Sequence, residues 1–265
     1  MSYSTTVGVD LAKNVIQISV LSGRGKELSN RSLTRKKFAE FLGKQELSLV
    51  AFESCATAHY WARAAARHGH PVRIIPAKAV APVREGRKTD SNDALAVAEA
   101  ARRPNIKEAP MKSIEQQGLQ AVLRARDRLI QKCVASSNHL RGILLEFGIA
   151  IPQSIAALLR KLPEVLEDGG NELPDFYRPT LHCLYLRMLE LRGDLEAMTR
   201  DVNLQLKNHP VCSKLTVIEG IGPIGAMSLY ASLGSGKAFA SGREFAAHVG
   251  LTPQQYSSGG KANPA

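Results

Sequence analysis

Thr5-Thr6-Val7-Gly8-Val9-Asp10 decides how the rest of the chain is read. β-Branched residues around a single glycine predict a short buried strand, and the run closes on a carboxylate. Residues 15–21 alternate partly and predict an antiparallel partner across a turn at Ala12-Lys13-Asn14. A third strand over residues 26–33 follows the turn Ser22-Gly23-Arg24-Gly25. Thr34 is suited to cap a helix running to about residue 42, with Phe38, Phe41 and Leu42 on its apolar face. Residues 48–52 predict another buried strand, and this one ends on Glu53. A helix over 58–68 stops at Gly69, a strand over 72–75 stops at Pro76, and an alanine-rich helix over 94–102 stops at Pro104. Three strands followed by alternating helix and strand predict an α/β mixed sheet of the RNase H-like kind.

Beyond residue 110 the pattern changes. Leu119, Val122, Leu123, Leu129, Ile130, Val134, Leu140, Ile143 and Leu144 recur at helical spacing and predict one long helix over 111–147. Residues 175–208, with Leu181, Leu184, Leu186, Leu189, Leu191, Leu195 and Met198, predict its return partner. Such a pair serves either as a coiled-coil spacer or dimer arm, or as a compact helical subdomain. The last segment contains Glu219-Gly220-Ile221-Gly222-Pro223, which predicts a helix-hairpin-helix. Glycines there let backbone approach phosphate, and the following helix offers free N–H groups; an ordinary αα turn is the alternative. The expected domains are therefore 1–108, 109–210 and 211–265.

The formal net charge is +11 over 265 residues. It is uneven, with +8 in residues 1–110 and +3 in 111–265. A basic surface of this kind suits a phosphate backbone. Anionic membrane is the competing partner, but no apolar run reaches about 18 residues and no charged-then-apolar leader precedes the first strand. A cytoplasmic protein is expected. Cys55, Cys133, Cys183 and Cys212 form no Cys-x-x-Cys pair, so a zinc ribbon is not expected and all four read as packing residues. His59, His68 and His70 are poorly spaced for zinc and read as structural or surface residues.

The chemistry points to four carboxylates. Asp10 and Glu53 close two strands, and open α/β sheets place their chemistry at the carboxyl ends of strands. Asp90 and Asp93 sit three apart in Thr89-Asp90-Ser91-Asn92-Asp93-Ala94, at a helix start. Gathered together, they make a pocket of hard oxygen ligands for Mg²⁺ or Mn²⁺. Each also has a plainer explanation: a turn residue for Asp10, an exposed strand end for Glu53, an N-cap for Asp90 and a favourable first-turn charge for Asp93. Arg84, Arg87 and Lys88 precede the aspartate pair in a loop, where they either clamp phosphate or offset acidic repulsion. Arg124, Arg128 and Lys132 repeat at spacing four along the long helix as a basic stripe or a solvated face. In Tyr256-Ser257-Ser258-Gly259-Gly260-Lys261 a serine lies in a glycine-rich loop without an evident base, and reads first as a turn serine.

Taken together, Val7-Gly8-Val9-Asp10-Leu11-Ala12-Lys13, Phe52-Glu53-Ser54, Arg87-Lys88-Thr89-Asp90-Ser91-Asn92-Asp93-Ala94, Leu140-Arg141-Gly142, Ile218-Glu219-Gly220-Ile221-Gly222-Pro223 and Gly250-Leu251-Thr252-Pro253 with the serine segment resemble one family. It is the DEDD transposases of bacterial insertion sequences, the insertion-sequence one-ten family, which includes Piv-type DNA invertases. The resemblance implies a RuvC-like N-terminal domain, a coiled-coil section and a C-terminal transposase domain. It implies that Asp10, Glu53, Asp90 and Asp93 are the metal-binding tetrad. It also implies a nucleophilic serine, Ser258 by position with Ser257 second, that links covalently to DNA. A structured guide RNA and a dimer or tetramer are implied as partners. The family continues beyond this segment into a Gly-, Arg- and Lys-rich stretch, whereas this sequence stops at Asn263-Pro264-Ala265, so a shortened copy is expected. Other classes remain open: a non-catalytic RNA- or DNA-binding derivative, a RuvC-like junction nuclease without a serine, and a sugar-kinase-like ATPase suggested by Gly8-Val9-Asp10.

Overall fold

A computed structural model describes residues 4–234, 236, 239–251, 255–258 and 261–264. The chain divides into two compact units, one of residues 1–113 with 238–265 and one of residues 114–237.

In the first unit, β1 (Thr5–Leu11), β2 (Val15–Ser22), β3 (Glu27–Thr34), α1 (Arg35–Lys44), β4 (Leu49–Glu53), α2 (Ala58–Arg67), β5 (Val72–Ile75), α3 (Ala77–Val80) and α4 (Asp90–Arg102) follow in order. The sheet order is β3-β2-β1-β4-β5. β1 pairs antiparallel with β2 and parallel with β4, β2 pairs antiparallel with β3, and β4 pairs parallel with β5. This is the mixed sheet that the order of elements predicted, with three antiparallel strands continued by two parallel ones. The strands run somewhat longer than their apolar runs because pairing extends into the polar ends.

The strand period of two separates the faces. Val7, Val9, Ile16, Ile18, Val50, Phe52 and Ile74 pack with Phe38 and Leu42 of α1 and Trp61, Ala62 and Ala65 of α2. The alternate residues Leu49, Ala51 and Ile75 pack with Val97, Ala100 and Ala101 of α4. Gly8 lies on the α4 side, and the contact there is extremely close. A Cβ on Gly8 would stand 2.2 Å from the Ala94 carbonyl oxygen and 2.6 Å from the Ala98 Cβ. Alanines on α4 and glycine on β1 therefore allow helix and strand backbones to touch. Thr89, not Asp90, caps α4, its Oγ1 accepting the Asn92 N–H at 3.3 Å. Asp90 is thus the first helical residue, and the N-cap explanation for it is replaced.

The second unit holds α5 (Ile114–Glu146), α6 (Ile155–Glu167), α7 (Arg178–Asn208), α8 (Pro210–Leu215) and α9 (Pro223–Leu233). α5 and α7 run antiparallel: Leu140 and Leu144 pack beside Leu181 and Met188, while Leu123 packs beside Val202 and Leu206. α6 covers the first of these ends through Leu158, Leu159 and Leu162, and α8 and α9 cover the other through Cys212, Ala226 and Met227. α6 was not anticipated; its apolar residues sit between two longer helical patterns. In the first unit, α10 (Gly242–His248) also goes beyond the sequence expectation, and β6 (Gln255–Ser258) pairs antiparallel with β7 (Lys261–Pro264). Among the described residues no helix is long and apolar enough to cross a membrane.

Two glycine substitutions should act oppositely. Gly8→Ala forces β1 and α4 apart and is expected to destabilise at the upper end of the usual overpacking range, about 1–3 kcal/mol. Gly142→Ala, inside α5 with nothing within 4 Å of the added carbon, is expected to stabilise by about 0.5–1 kcal/mol. Urea unfolding of both variants checks the pair.

Candidate active site

The close β1–α4 contact sets the geometry of the acidic group. Asp10 is two residues beyond Gly8, so it projects from the same face of β1. Glu53 ends β4 on that face, in phase with Leu49 and Ala51. The first turn of α4 supplies Asp90 and Asp93. The four charges feel one another. Burial first, then repulsion from Asp90, Asp93 and Glu53, together raise the Asp10 carboxyl to about 6 against an opposing hydrogen bond from the Leu11 backbone. Burial also raises Glu53, followed by the Asp93 charge, while Lys88 and Arg84 pull it back.

Arg84 Nη1 donates to Asp93 Oδ1 at 2.9 Å. Arg84 and Lys88 thus both stand close enough to the acids to offset their charge. Arg87 is exposed, and its carbonyl accepts from Asn92 Nδ2 at 2.9 Å, which ties the loop to α4. The donor set is all carboxylate oxygen, which fits a hard divalent cation. Among the described residues, however, no three His, Cys, Asp or Glu side chains are gathered into a group that could hold a metal ion. The four carboxylates are an electrostatic cluster, in which Asp93 is paired with Arg84.

Two features at this site escaped the sequence. Cys55 is exposed, not a packing residue, and so is Cys183, whereas Cys133 and Cys212 are buried as expected. Although the residue reaches solvent, its thiol is half-buried among its neighbours; that burial, then the Glu53 and Asp10 charges, push it up to about 11, so it stays protonated and is a poor nucleophile. Thr57, which precedes α2 in the loop after Glu53, has φ 71°, and it is the one non-glycine residue with positive φ among those described. A β-branched residue there is strained, and such strain gathers at functional loops. Its signal in sequence is nil, because threonine before a helix reads as an ordinary N-cap; in fact its side chain makes no capping bond.

The other predicted residues belong to other elements of the chain. Arg124, Arg128 and Lys132 are exposed on α5. Arg128 and Lys132 line a groove of about 650 Å³ together with Asp194 and Asp201 of α7, so the stripe is flanked by opposite charge. Gly220 and Gly222 lie in the turn between α8 and α9, Gly220 with φ +84°, and nothing stands within 4 Å of a Cβ on either. That leaves the turn open to an approaching backbone. Ser258 is the last residue of β6, in register with Lys261 of β7, where a loop serine was expected. Gly259 and Gly260 lie outside the described residues. His70 is structural: its ring accepts the Ser48 N–H at 3.3 Å and its other nitrogen meets the Leu42 carbonyl at 2.9 Å. His59 Nδ1 likewise accepts the Lys112 N–H at 3.3 Å.

Comparison with known proteins adds a second line. Residues 7–149 match the DEDD transposase family of IS110 elements, described as "Transposase". Residues 212–265 match "Transposase IS116/IS110/IS902 family". The chain is similar to "Probable family 20 transposase" of Pseudomonas aeruginosa, 37% identical over 256 residues that cover 96% of this chain and 76% of the relative. It is similar to "Transposase for insertion sequence element IS1328" of Yersinia enterocolitica, 37% identical over 97% of this chain and 76% of the relative. It is also similar to "Transposase for insertion sequence element IS1111A" of Coxiella burnetii, 34% identical over 96% of this chain and 70% of the relative. Among solved structures, "T. thermophilus RuvC in complex with Holliday junction substrate" is similar over 40% of this chain and 99% of its own, at 17% identity and a TM-score of 0.32, too low to bear on the fold.

The raised Asp10 carboxyl has a consequence for stability. Its folded pKa of about 6 exceeds the ordinary 3.8, so the fold binds its proton more tightly than the unfolded chain does. Stability is then full below about pH 4, falls as pH rises towards 6, and stays reduced above. In the absence of divalent ions, Asp10→Asn should abolish that component and exceed wild type by about 1–2 kcal/mol at pH 7.5, after allowance for solvent screening. Urea unfolding of both chains between pH 4 and 7.5 measures the difference. In the same assay Thr57→Gly should stabilise by about 1 kcal/mol through release of strain; no change would mean the loop tolerates threonine there without cost.

Proposed function

The chain belongs to the IS110 family of DEDD transposases and is an insertion-sequence transposase, and from that premise we propose that Asp10, Glu53, Asp90 and Asp93 form the acidic centre at which DNA strands are cut and rejoined. The observation that carries this reading is the shared electrostatics of Asp10, whose carboxyl is raised by burial and by all three other acids. Charges so placed repel one another in the folded protein. Such repulsion is tolerated where a cation is to be received.

The four carboxylates would hold Mg²⁺ or Mn²⁺, and a cation bound there supplies stabilisation of charge on phosphoryl oxygens. The residues of the chain do the rest. Arg84 exchanges its bond to Asp93 for one to the DNA phosphate, which frees Asp93 as a ligand. Lys88 and Arg87 hold the phosphate beside it. Ser258, with Ser257 as second choice, attacks phosphorus. A serine–phosphorus ester then forms as one backbone P–O bond breaks, and the departing oxygen leaves as a hydroxyl. The open turn at Gly220 and Gly222, as a helix-hairpin-helix, and the α5 residues Arg124, Arg128 and Lys132 bind nucleic acid. A structured non-coding RNA chooses donor and target, as in an RNA-guided bridge recombinase with Piv-type relatives. A dimer or tetramer joins carboxylates and serine into composite sites. On this reading 1–108 is the catalytic domain, 109–210 a coiled-coil section and 211–265 the transposase domain.

The test uses a nicked duplex carrying the element's end, incubated with Mg²⁺ and resolved under denaturing conditions. Wild type should give a covalent protein–DNA adduct, Ser258→Ala none, and Asp10→Asn neither adduct nor cleavage, while RNA binding by Asp10→Asn stays within about twofold. Cleavage that survives Ser258→Ala but not Asp10→Asn would select a junction nuclease instead. Nucleic-acid binding with no cleavage by any chain would leave only the non-catalytic binder.

A further inference from the structure

On the sheet face opposite the carboxylates, α1 and the edge strand β3 enclose a groove of about 370 Å³ lined by Arg31, Leu33, Lys37, Glu40, Phe41, Lys44 and Gln45. The faces are fixed by register. Arg31 pairs with Ile18 and Leu33 with Ile16, and both isoleucines belong to the core beneath α1 and α2. Asp10, Glu53 and α4 lie on the other side.

Three cations and one carboxylate line this groove, and among the described residues none of the three cations makes an ion pair within 4.0 Å. They are also not free to wander equally. The Arg31 guanidinium lies 5.8 Å from the centroid of the Phe41 ring, a cation–π contact that holds its plane while leaving N–H groups for an acceptor. Lys37 and Lys44 stand two helical turns apart on one face of α1, about 10 Å along its axis. That spacing equals the rise of about three nucleotides in one strand of B-DNA. In addition, the first turn of α1 carries Arg35, Lys36 and Lys37 and no acid. The helix dipole disfavours cations at that end, so this charge lowers the stability of α1 unless an anion offsets it.

We propose that the β3–α1 groove is a second polynucleotide-binding site, which grips a phosphodiester backbone through Arg31, Lys37 and Lys44. It rests on the reading that the chain acts on nucleic acid, and it extends that reading to a surface remote from the chemistry. Because the groove faces away from the carboxylates, the segment it holds is not the segment being cut by the same protomer. The chemistry recognised is the repeating phosphate, which both duplex DNA and RNA present.

The experiment measures binding of the full chain, without divalent ions, to two fluorescent probes: a 30-base-pair duplex DNA and a 30-nucleotide structured RNA. Anisotropy is read from 50 to 300 mM NaCl. The triple variant R31Q/K37Q/K44Q should bind one probe at least tenfold more weakly at 100 mM NaCl. Its slope of log affinity against log salt for that probe should be shallower by about 2–3, the release expected for three phosphate contacts. The probe that responds identifies the polynucleotide. A charge-conserving K37R/K44R chain should keep the wild-type slope, and a thermal melt should show the triple variant folded; were it not, the single variants K37Q and K44Q should each lower the slope by about 0.7–0.9. Equal slopes for wild type and variants on both probes, or no binding of either probe by wild type, overturns the proposal. The catalytic acids are untouched in every chain, so loss of this site with cleavage intact separates its failure from failure of the active-site reading.

Discussion

The contact of Gly8 with Ala94 and Ala98 is the constraint on which the first unit depends. Any side chain at Gly8 would overlap the α4 backbone. Its absence lets the start of α4 descend onto the end of β1, and that descent brings Asp90 and Asp93 within electrostatic reach of Asp10. β4, parallel to β1 through pairs such as Gly8 with Ala51, then delivers Glu53 beside them. A packing requirement at one position thus fixes the relative placement of four charges from three separate elements.

The same unit carries opposite kinds of charge on opposite sheet faces. On the α4 face, acids crowd and are partly relieved by Arg84 and Lys88. On the α1 face, at the edge strand, cations accumulate with Glu40 as the one acid in the groove. Each side carries a strain that a ligand of the other sign would relieve. The net charge of +11 hides this division, because it sums an acidic cluster and a larger basic surface.

Much of the first unit was legible in sequence for a physical reason. Short apolar runs ending in Asp10 and Glu53, punctuated by Gly69, Pro76 and Pro104, leave few ways to build a sheet, and the observed order agrees. The placing of Asp10, Glu53, Asp90 and Asp93 near one another followed from strand ends and a helix start. What was not legible depended on contacts across the fold. Arg84 was readable as a basic loop residue, but not its bond to Asp93, and Cys55 looked like a packing residue until the loop geometry exposed it. The strain at Thr57 leaves no mark on the residue type. α6 was missed because its apolar residues, read alone, do not announce that they close the end of α5 and α7. Basic residues 31, 37 and 44 come from a strand and a helix, so no local pattern joins them.

The central claim is that the four carboxylates act as one receiving site for a divalent ion. Titration of the metal-free chain with Mn²⁺ at pH 7.5, read by the loss of the free-ion electron paramagnetic resonance signal, tests it directly. Saturable binding that weakens at least tenfold in Asp10→Asn and in Asp93→Asn is the result expected of a shared site. Binding of equal strength in wild type and both variants, or none in any of them, would contradict it.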